Sequence, residues 1–492
     1  MAGLKARVNH RPDKIFLAHG DLGMSFAYAN QYASRACAAI LRHTPLEPGD
    51  RAAILMKKPV PFILTLFALM RMRVVSVPLN TRLTASELAW QIQNVDCRLT
   101  ICEPETRALA GEAGANVMEM PNIDLEEPAP QYGDFGMMNL DDDFAIIHTS
   151  GTSGRPKAAI LTYGNVYQSA VASALKLDTI RGEQWLCPLP LYHVGGLSIV
   201  FRSLNYGTAI EVLPPGPFDV RETNRILSEH PITIVSLVPT MLQRLLDAKT
   251  RPWNPRLRLI LLGGEAPSPE LLARCAAENL PIATTYGLTE TASQVATAWP
   301  ELVYRKPGTV GKPLDFTQVR IIDEGGDDAA PNVPGEVLVK GETVMRGYCN
   351  NPAATAKALR DGWLHTGDIG YLDEDGDLFI LQRREDLIVS GGENIYPAEV
   401  EDVLRKHPAI AEAVVLALPD ANWGQRVAAA IETRPGQSAT VEEIRAFARN
   451  QLAGYKVPRQ IVFVAALPRT ASGKLQRREA RKAFPDAPHS KP

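Results

Sequence analysis

The sequence predicts an α/β protein. A large N-terminal domain of several subdomains carries mainly parallel sheets and one β-rich part, and a small α+β C-terminal domain follows. Three observations carry this prediction. Strand-like and helix-like segments alternate as far as the charged stretch Leu381-Gln382-Arg383-Arg384-Glu385-Asp386-Leu387, the order that parallel sheets with helical crossovers require. Residues 316–348 interrupt that alternation with short strands between Gly- and Pro-rich turns. Beyond the charged stretch, residues 387–492 carry a strand and helix pattern of their own.

The elements follow in chain order. Arg51-Ala52-Ala53-Ile54-Leu55-Met56 is short and apolar, as a buried strand is. A helical pattern covers residues 60–72, and Val74-Val75-Ser76-Val77 reads as the next strand. The greasy run from Phe62 to Met70 is too short to cross a bilayer and runs into Arg71 and Arg73, so it is expected as a buried helix. Phe144-Ala145-Ile146-Ile147 and Ala158-Ala159-Ile160-Leu161 read as strands flanking a loop. Residues 232–237 and 257–262 read as strands, with helices expected over 240–246 and 269–278. In the β-rich part, strands are expected at 316–322 and 335–339 around a turn at 323–328. Pro397 suits the first turn of a helix reaching residue 405. Strands at 413–418 and 426–431 and a helix over 441–452 complete the chain. The expected division is residues 1–382, a connection at 383–386, and residues 387–492.

Composition excludes several classes. The 492 residues are 45% hydrophobic, enough for a large core. A formal charge of −3 gives no electrostatic footprint for nucleic acid or an anionic membrane. Six scattered cysteines lack any Cys-x-x-Cys pair, which argues against a thiolate metal site and fits a reducing, cytoplasmic setting. The first residues lack the apolar core of a signal peptide, and no integral membrane segment is expected.

The loop between the two strands at 144–161 is the densest chemical signal. Thr149, Ser150, Thr152 and Ser153 supply hydroxyls, Gly151 and Gly154 let backbone approach a ligand, and Lys157 adds a cation. Such a loop can wrap polyphosphate oxygens, which points to ATP. It is not a Walker A loop, because Lys157 follows Pro156 and precedes a strand instead of opening a helix.

Further motifs follow in order: Tyr286-Gly287-Leu288-Thr289-Glu290, Thr366-Gly367-Asp368, Arg383, Ser390-Gly391-Gly392-Glu393-Asn394-Ile395-Tyr396-Pro397 and Pro468-Arg469-Thr470-Ala471-Ser472-Gly473-Lys474. Together with the loop, this set resembles the adenylate-forming superfamily of acyl- and aryl-CoA ligases, luciferase-like enzymes and peptide-synthetase adenylation domains. The resemblance covers essentially the whole chain. It implies a reaction in two halves, with a carboxylate attacking the α-phosphate of ATP and a thiol then attacking the acyl-adenylate. It implies ATP, Mg²⁺ and coenzyme A as cofactors.

The same resemblance assigns roles by position. The residues Thr149, Ser150, Gly151, Thr152, Ser153, Gly154 and Lys157 match the pyrophosphate-binding loop. Thr289 is expected on the α-phosphate, and Glu290 on Mg²⁺, a hard cation suited to one carboxylate plus phosphate oxygens. Gly264, Glu265 and Ala266 match the lining of an adenine pocket, with Tyr286 beside Gly287 expected to stack on the base. Asp368 matches the acceptor of both ribose hydroxyls, and Arg383 belongs to the same nucleotide set. Lys474 matches the lysine that bridges carboxylate and phosphate in the first half-reaction. The small domain of the family is mobile, and the match puts its pivot at Glu385, with Gly391 and Gly392 shaping the thiol channel. Departures are modest: His148 replaces an aromatic residue, Ser153 a threonine, Ala158 a glycine, Gln382 a glycine and Glu385 an aspartate.

The acid is read from residues 190–203. His193 matches the mouth of the acyl site and joins Lys474, Glu290 and Thr289 in the expected catalytic set. Ser198, Arg202 and Thr285 are the further expected substrate contacts. Pro190-Leu191-Tyr192-His193-Val194-Gly195-Gly196-Leu197-Ser198 with Phe201-Arg202-Ser203 resembles the o-succinylbenzoate–CoA ligases, one branch of the family. That branch implies a small aromatic diacid, one carboxylate reacting and the other held by Arg202 or His193. Other aryl-CoA and fatty-acid–CoA ligases share much of this pattern and stay open as alternatives. The oligomeric state stays open too, a homodimer included.

Overall fold

The computed structural model describes residues 4–20, 22–114, 116–123, 125, 139–149, 156–180, 182–382, 387–468 and 475–484. The chain divides into two compact units. The first comprises Met1–Thr81, Ile92–His148 and Ala158–Arg383; the second is Arg384–Pro492 together with Arg82–Gln91 and Thr149–Lys157.

The first unit is organised by three sheets. An eight-stranded sheet runs Ser293–Ala298, Ile282–Leu288, Leu259–Leu262, Ile234–Leu237, Gln184–Cys187, Ala209–Val212, Ile15–His19, Leu22–Ser25. Its inner pairs are parallel and only the two end pairs are antiparallel. Its central strands, such as Leu-Ile-Leu-Leu at 259–262, are buried throughout, as a sheet covered on both faces requires. A second sheet places Asp143–Thr149 beside Val75–Pro78, then Arg51–Leu55, Leu99–Cys102 and Val117–Glu119, all parallel. The β-rich part is an antiparallel sheet of Thr309–Gly311, Leu378–Gln382, Trp363–Leu372, Gly335–Gly341 and Thr317–Ile322. The predicted run 60–72 is the buried helix Pro59–Met72, opened by Pro59 at its first position.

One helix carries two of the expected substrate residues, Ser198 and Arg202. Val194–Tyr206 is buried continuously from Gly196 to Asn205, so it is an interior element and not an amphipathic cover. Phe201 meets Phe144 of the second sheet edge-on at 5.2 Å, and the Arg202 guanidinium lies 5.6 Å from the ring of Trp185 in the first. Gly196 lets the helix start there, because a Cβ would sit 2.4 Å from the Pro190 carbonyl oxygen. Gly207 ends it at φ 64°, its N–H donating to Ser203 O.

The second unit centres on an antiparallel sheet of Glu393–Ile395, Ile388–Ser390, Gly424–Thr433 and Ile410–Asp420, with Gln460–Val464 added in parallel. The strands expected at 413–418 and 426–431 are longer, because Asp420 Oδ1 accepts from the N–H groups of Asn422 and Trp423 and closes a tight turn that carries pairing to Asp420 and Gly424. The helix expected to residue 452 stops at Arg449. The strand Trp363–Leu372 has no counterpart among the sequence expectations; Gly367 and Gly370 disguise it as a turn.

Candidate active site

Asp368 lies in the middle of Trp363–Leu372 and is fully buried. The Tyr286 hydroxyl donates to its Oδ2 at 2.7 Å. Its own N–H donates to Thr366 Oγ1 at 3.0 Å, and that hydroxyl donates to Val337 O at 2.6 Å. Two residues assigned separately to ribose and adenine are therefore joined to each other. Tyr286 is itself almost completely buried. Gly264, with φ 86°, and Ala266 are exposed after the strand Leu259–Leu262, and Glu265 is half-buried.

The segment after Tyr286 is a strand end turned back on itself. Ile282–Leu288 runs into the short 3₁₀ turn Thr289–Thr291 and returns as Ser293–Ala298. Gly287 is obligatory there: a Cβ would lie 1.7 Å from the Ser293 carbonyl oxygen. The turn leaves Thr289 half-buried and Glu290 buried. Glu290 Oε1 accepts from the Tyr348 hydroxyl at 2.8 Å, while Oε2 has no hydrogen bond among the described residues. One oriented, one uncommitted carboxylate oxygen is the arrangement a hard cation can use. The acidic group Asp373, Asp375 and Asp377 is different: Lys306 Nζ already sits 2.7, 2.5 and 2.7 Å from its three carboxylates.

A cavity is lined by residues that include Phe144, Leu161, Val194, Leu197, Ser198 and Arg202. It brings together two of the expected substrate residues. The Arg202 side chain is buried, and its Nη2 donates to Ser293 Oγ at 3.1 Å. No carboxylate pairs with it among the described residues, and its Nε is buried without a hydrogen-bond partner. Burial without a counter-charge pushes the guanidinium down, to about 9. Ser198 Oγ donates to Gly195 O at 3.1 Å. His193 caps the same helix and lies 4.7 Å from the Tyr192 ring, but it does not line this cavity. Thr285 does not line it either; its hydroxyl is committed to Ala296 O at 2.9 Å and Thr297 Oγ1 at 2.8 Å.

In the second unit, Gly391 at φ 59° and Gly392 at φ 84° form a left-handed turn before the helix Pro397–Leu404. The Gly391 N–H donates to Trp423 O at 2.8 Å, and a Cβ on Gly391 would strike the Trp423 ring at 2.4 Å. Thr149 Oγ1 donates to Lys157 O at 3.4 Å.

The sequence signature of the AMP-binding enzyme family matches residues 4–349, and that of the AMP-binding enzyme C-terminal domain matches residues 399–474. The chain belongs to the AMP-binding enzyme family. The 2-succinylbenzoate–CoA ligase of Geobacillus sp. (strain WCH70) is 41% identical over 478 residues, covering 96% of each chain. Among solved structures, a double mutant of o-succinylbenzoate CoA synthetase from Bacillus subtilis bound to its product analogue OSB-NCoA is similar, with a TM-score of 0.92 and 36% identity over 98% of each chain. The same Bacillus subtilis synthetase in complex with ATP and magnesium gives a TM-score of 0.74 at 35% identity, over 97% of this chain and 98% of that one. No described helix is long and apolar enough to cross a membrane.

Ser150, Gly151, Thr152, Ser153, Gly154, Arg383, Glu385 and Lys474 lie outside the described residues. Three side chains of this AMP-binding enzyme escape the sequence reading: Tyr348 on Glu290, Ser293 on Arg202 and Trp423 under Gly391. None sits at a position where spacing alone marks a role. Ser293 is the nearest of them to a quoted motif, three residues beyond Glu290.

Proposed function

We propose that this AMP-binding enzyme is an AMP-forming acid–thiol ligase whose acid is 2-succinylbenzoate, an aromatic diacid, and whose thiol is coenzyme A. The observation that carries the choice of acid is Arg202. A buried guanidinium with no carboxylate partner costs several kcal/mol unless an anion arrives to pair with it. A diacid supplies that anion with the carboxylate that does not react, and the 41% identity to a 2-succinylbenzoate–CoA ligase supports the same acid. Such a ligase serves menaquinone biosynthesis and works in the cytoplasm.

The first half-reaction forms a bond between the substrate carboxylate oxygen and the α-phosphorus of ATP, and the bond to pyrophosphate breaks. It brings an anion to a polyanion, so screening and alignment dominate. In this reading Thr289 contacts the α-phosphate, and the residues 149–154 with Lys157 hold the leaving pyrophosphate. Glu290 would hold Mg²⁺, and the donor set fits, since Tyr348 orients its carboxylate without neutralising it. The ion would supply charge neutralisation on the phosphates. Asp368 takes the ribose hydroxyls, and Gly264, Glu265, Ala266, Tyr286, Gly287 and Arg383 complete the nucleotide site. His193 stands at the mouth of the acyl site. In the second half-reaction the thiol sulfur attacks the carbonyl carbon and AMP leaves. Residues 1–382 and 387–492 are the two domains of this scheme, with a pivot at Glu385 and the thiol path shaped by Gly391 and Gly392.

The test is pyrophosphate release from ATP, Mg²⁺ and coenzyme A over a panel of acids. Preference for 2-succinylbenzoate by at least about a hundredfold over benzoate and octanoate is expected, a buried ion pair being lost with the mono-acids. Equal use of a mono-acid would discard the diacid and keep the ligase chemistry.

A further inference from the structure

Ala292 and Ser293 both have positive φ, at 51° and 113°. Non-glycine residues occupy such conformations only where their surroundings enforce them. Here the enforcement is visible. Ser169 Oγ donates to Ala292 O at 2.8 Å, and Thr291 Oγ1 lies 3.3 Å from Ser293 O. The Ser293 carbonyl presses on the one residue, Gly287, that can oppose it without a side chain.

The strained turn has one chemical consequence. It sets Ser293 Oγ 3.1 Å from Arg202 Nη2 and 3.4 Å from Ser198 Oγ. On its other side the Arg202 guanidinium faces the Trp185 ring, and that ring is itself held by an Nε1–H donated to Ser236 Oγ at 3.0 Å. The guanidinium is thus tied at Nη2 and at one face, and Nε is left over. An unconstrained arginine carries about 2 kcal/mol of side-chain entropy that it would lose on pairing. Because Ser293 Oγ accepts from Arg202, its own proton points away from the cation. Arg202 itself offers only donors, which suits an acceptor-only anion.

We propose that Ser293 is a positioning and specificity residue. It holds Arg202 ready for the non-reacting carboxylate of the acid and favours diacids over mono-acids. The inference rests on the reading that Arg202 receives that carboxylate.

The experiment measures the Michaelis constant for the diacid and the inhibition constants of two mono-acids, 4-oxo-4-phenylbutanoate and 2-butanoylbenzoate, each lacking one of its carboxylates. Ser293→Ala is expected to raise the diacid KM about tenfold, the effect of one hydrogen bond to a charged group. The kcat and the KM for ATP stay within about twofold. The two mono-acids should split: the one retaining the held carboxylate weakens with the diacid, and the other is unchanged. Ser293→Gly, which tolerates φ 113° freely, should reproduce this result and answers the question if the alanine variant fails to fold. An unchanged diacid KM, or both mono-acids shifting alike, overturns the role of Ser293. Arg202→Ala measured in parallel separates the two readings. If it leaves the diacid KM unchanged, the Arg202 assignment falls; if it raises that KM while Ser293→Ala does not, only the Ser293 inference falls.

Discussion

A carboxylate that serves a divalent cation must be held still without being neutralised. Glu290 meets both conditions, because its partner is the Tyr348 hydroxyl and not a lysine or arginine. The expected consequence is a graded magnesium phenotype. Tyr348→Phe should raise the Mg²⁺ concentration for half-maximal pyrophosphate release about threefold to tenfold, and Glu290→Ala should raise it further, as losing a neighbour of a ligand and losing the ligand itself do. A magnesium titration of both variants checks this; normal dependence in Glu290→Ala would remove it from the metal site. Glu290 and Asp368 stand out in the sequence only because each sits in a compact motif that resembles the family's, since a lone acid in a turn carries no such signal. Tyr348 is not legible, since it reaches Glu290 across 58 residues. Thr285, just before the motif that starts at Tyr286, bonds through its hydroxyl to Ala296 O and Thr297 Oγ1 of the neighbouring strand, a pairing that sequence order does not display.

Strands and helices position these side chains through a few tight contacts. The return from Ile282–Leu288 to Ser293–Ala298 is the tightest, with Gly287 opposite a carbonyl oxygen where a Cβ would lie at 1.7 Å. Gly287→Ala must separate the two strand ends, and overpacking of that kind costs about 1–3 kcal/mol. Melting by calorimetry should show a fall of about 2–10 °C, with pyrophosphate release reduced more than stability. Gly454→Ala is the control, with open space around its Cβ and expected neutrality. An equal effect of the two would mean that the turn tolerates slack. At this scale most of the sequence reading carries over, because apolar runs between turn residues such as those at 51–55, 234–237 and 259–262 form buried strands. Trp363–Leu372 does not carry over, since glycines at 367 and 370 are usually punctuation and here lie inside a ten-residue strand.

The whole molecule must perform two displacements with different needs, charge stabilisation at phosphorus and then delivery of a thiol. The order of motifs along the chain does not divide cleanly by need: the loop and nucleotide motifs precede the stretch 383–386, while Lys474, expected in the first displacement, and the Gly391-Gly392 turn, expected in the second, both follow it. What order along the chain does not reveal is that Arg82–Gln91 and Thr149–Lys157 group with the second unit, far from it in sequence. If Lys474 acts on the developing charge of the first displacement alone, its loss must divide the two halves. Lys474→Ala should slow acyl-adenylate formation about a thousandfold, equivalent to roughly 4 kcal/mol of transition-state stabilisation. Transfer from supplied acyl-AMP to coenzyme A should stay within about threefold, because the leaving AMP needs no second cation there. Single-turnover measurement of each half reads the two rates separately. Equal losses in both would mean that one fixed arrangement of groups serves both displacements, and would count against the proposed pivot at Glu385.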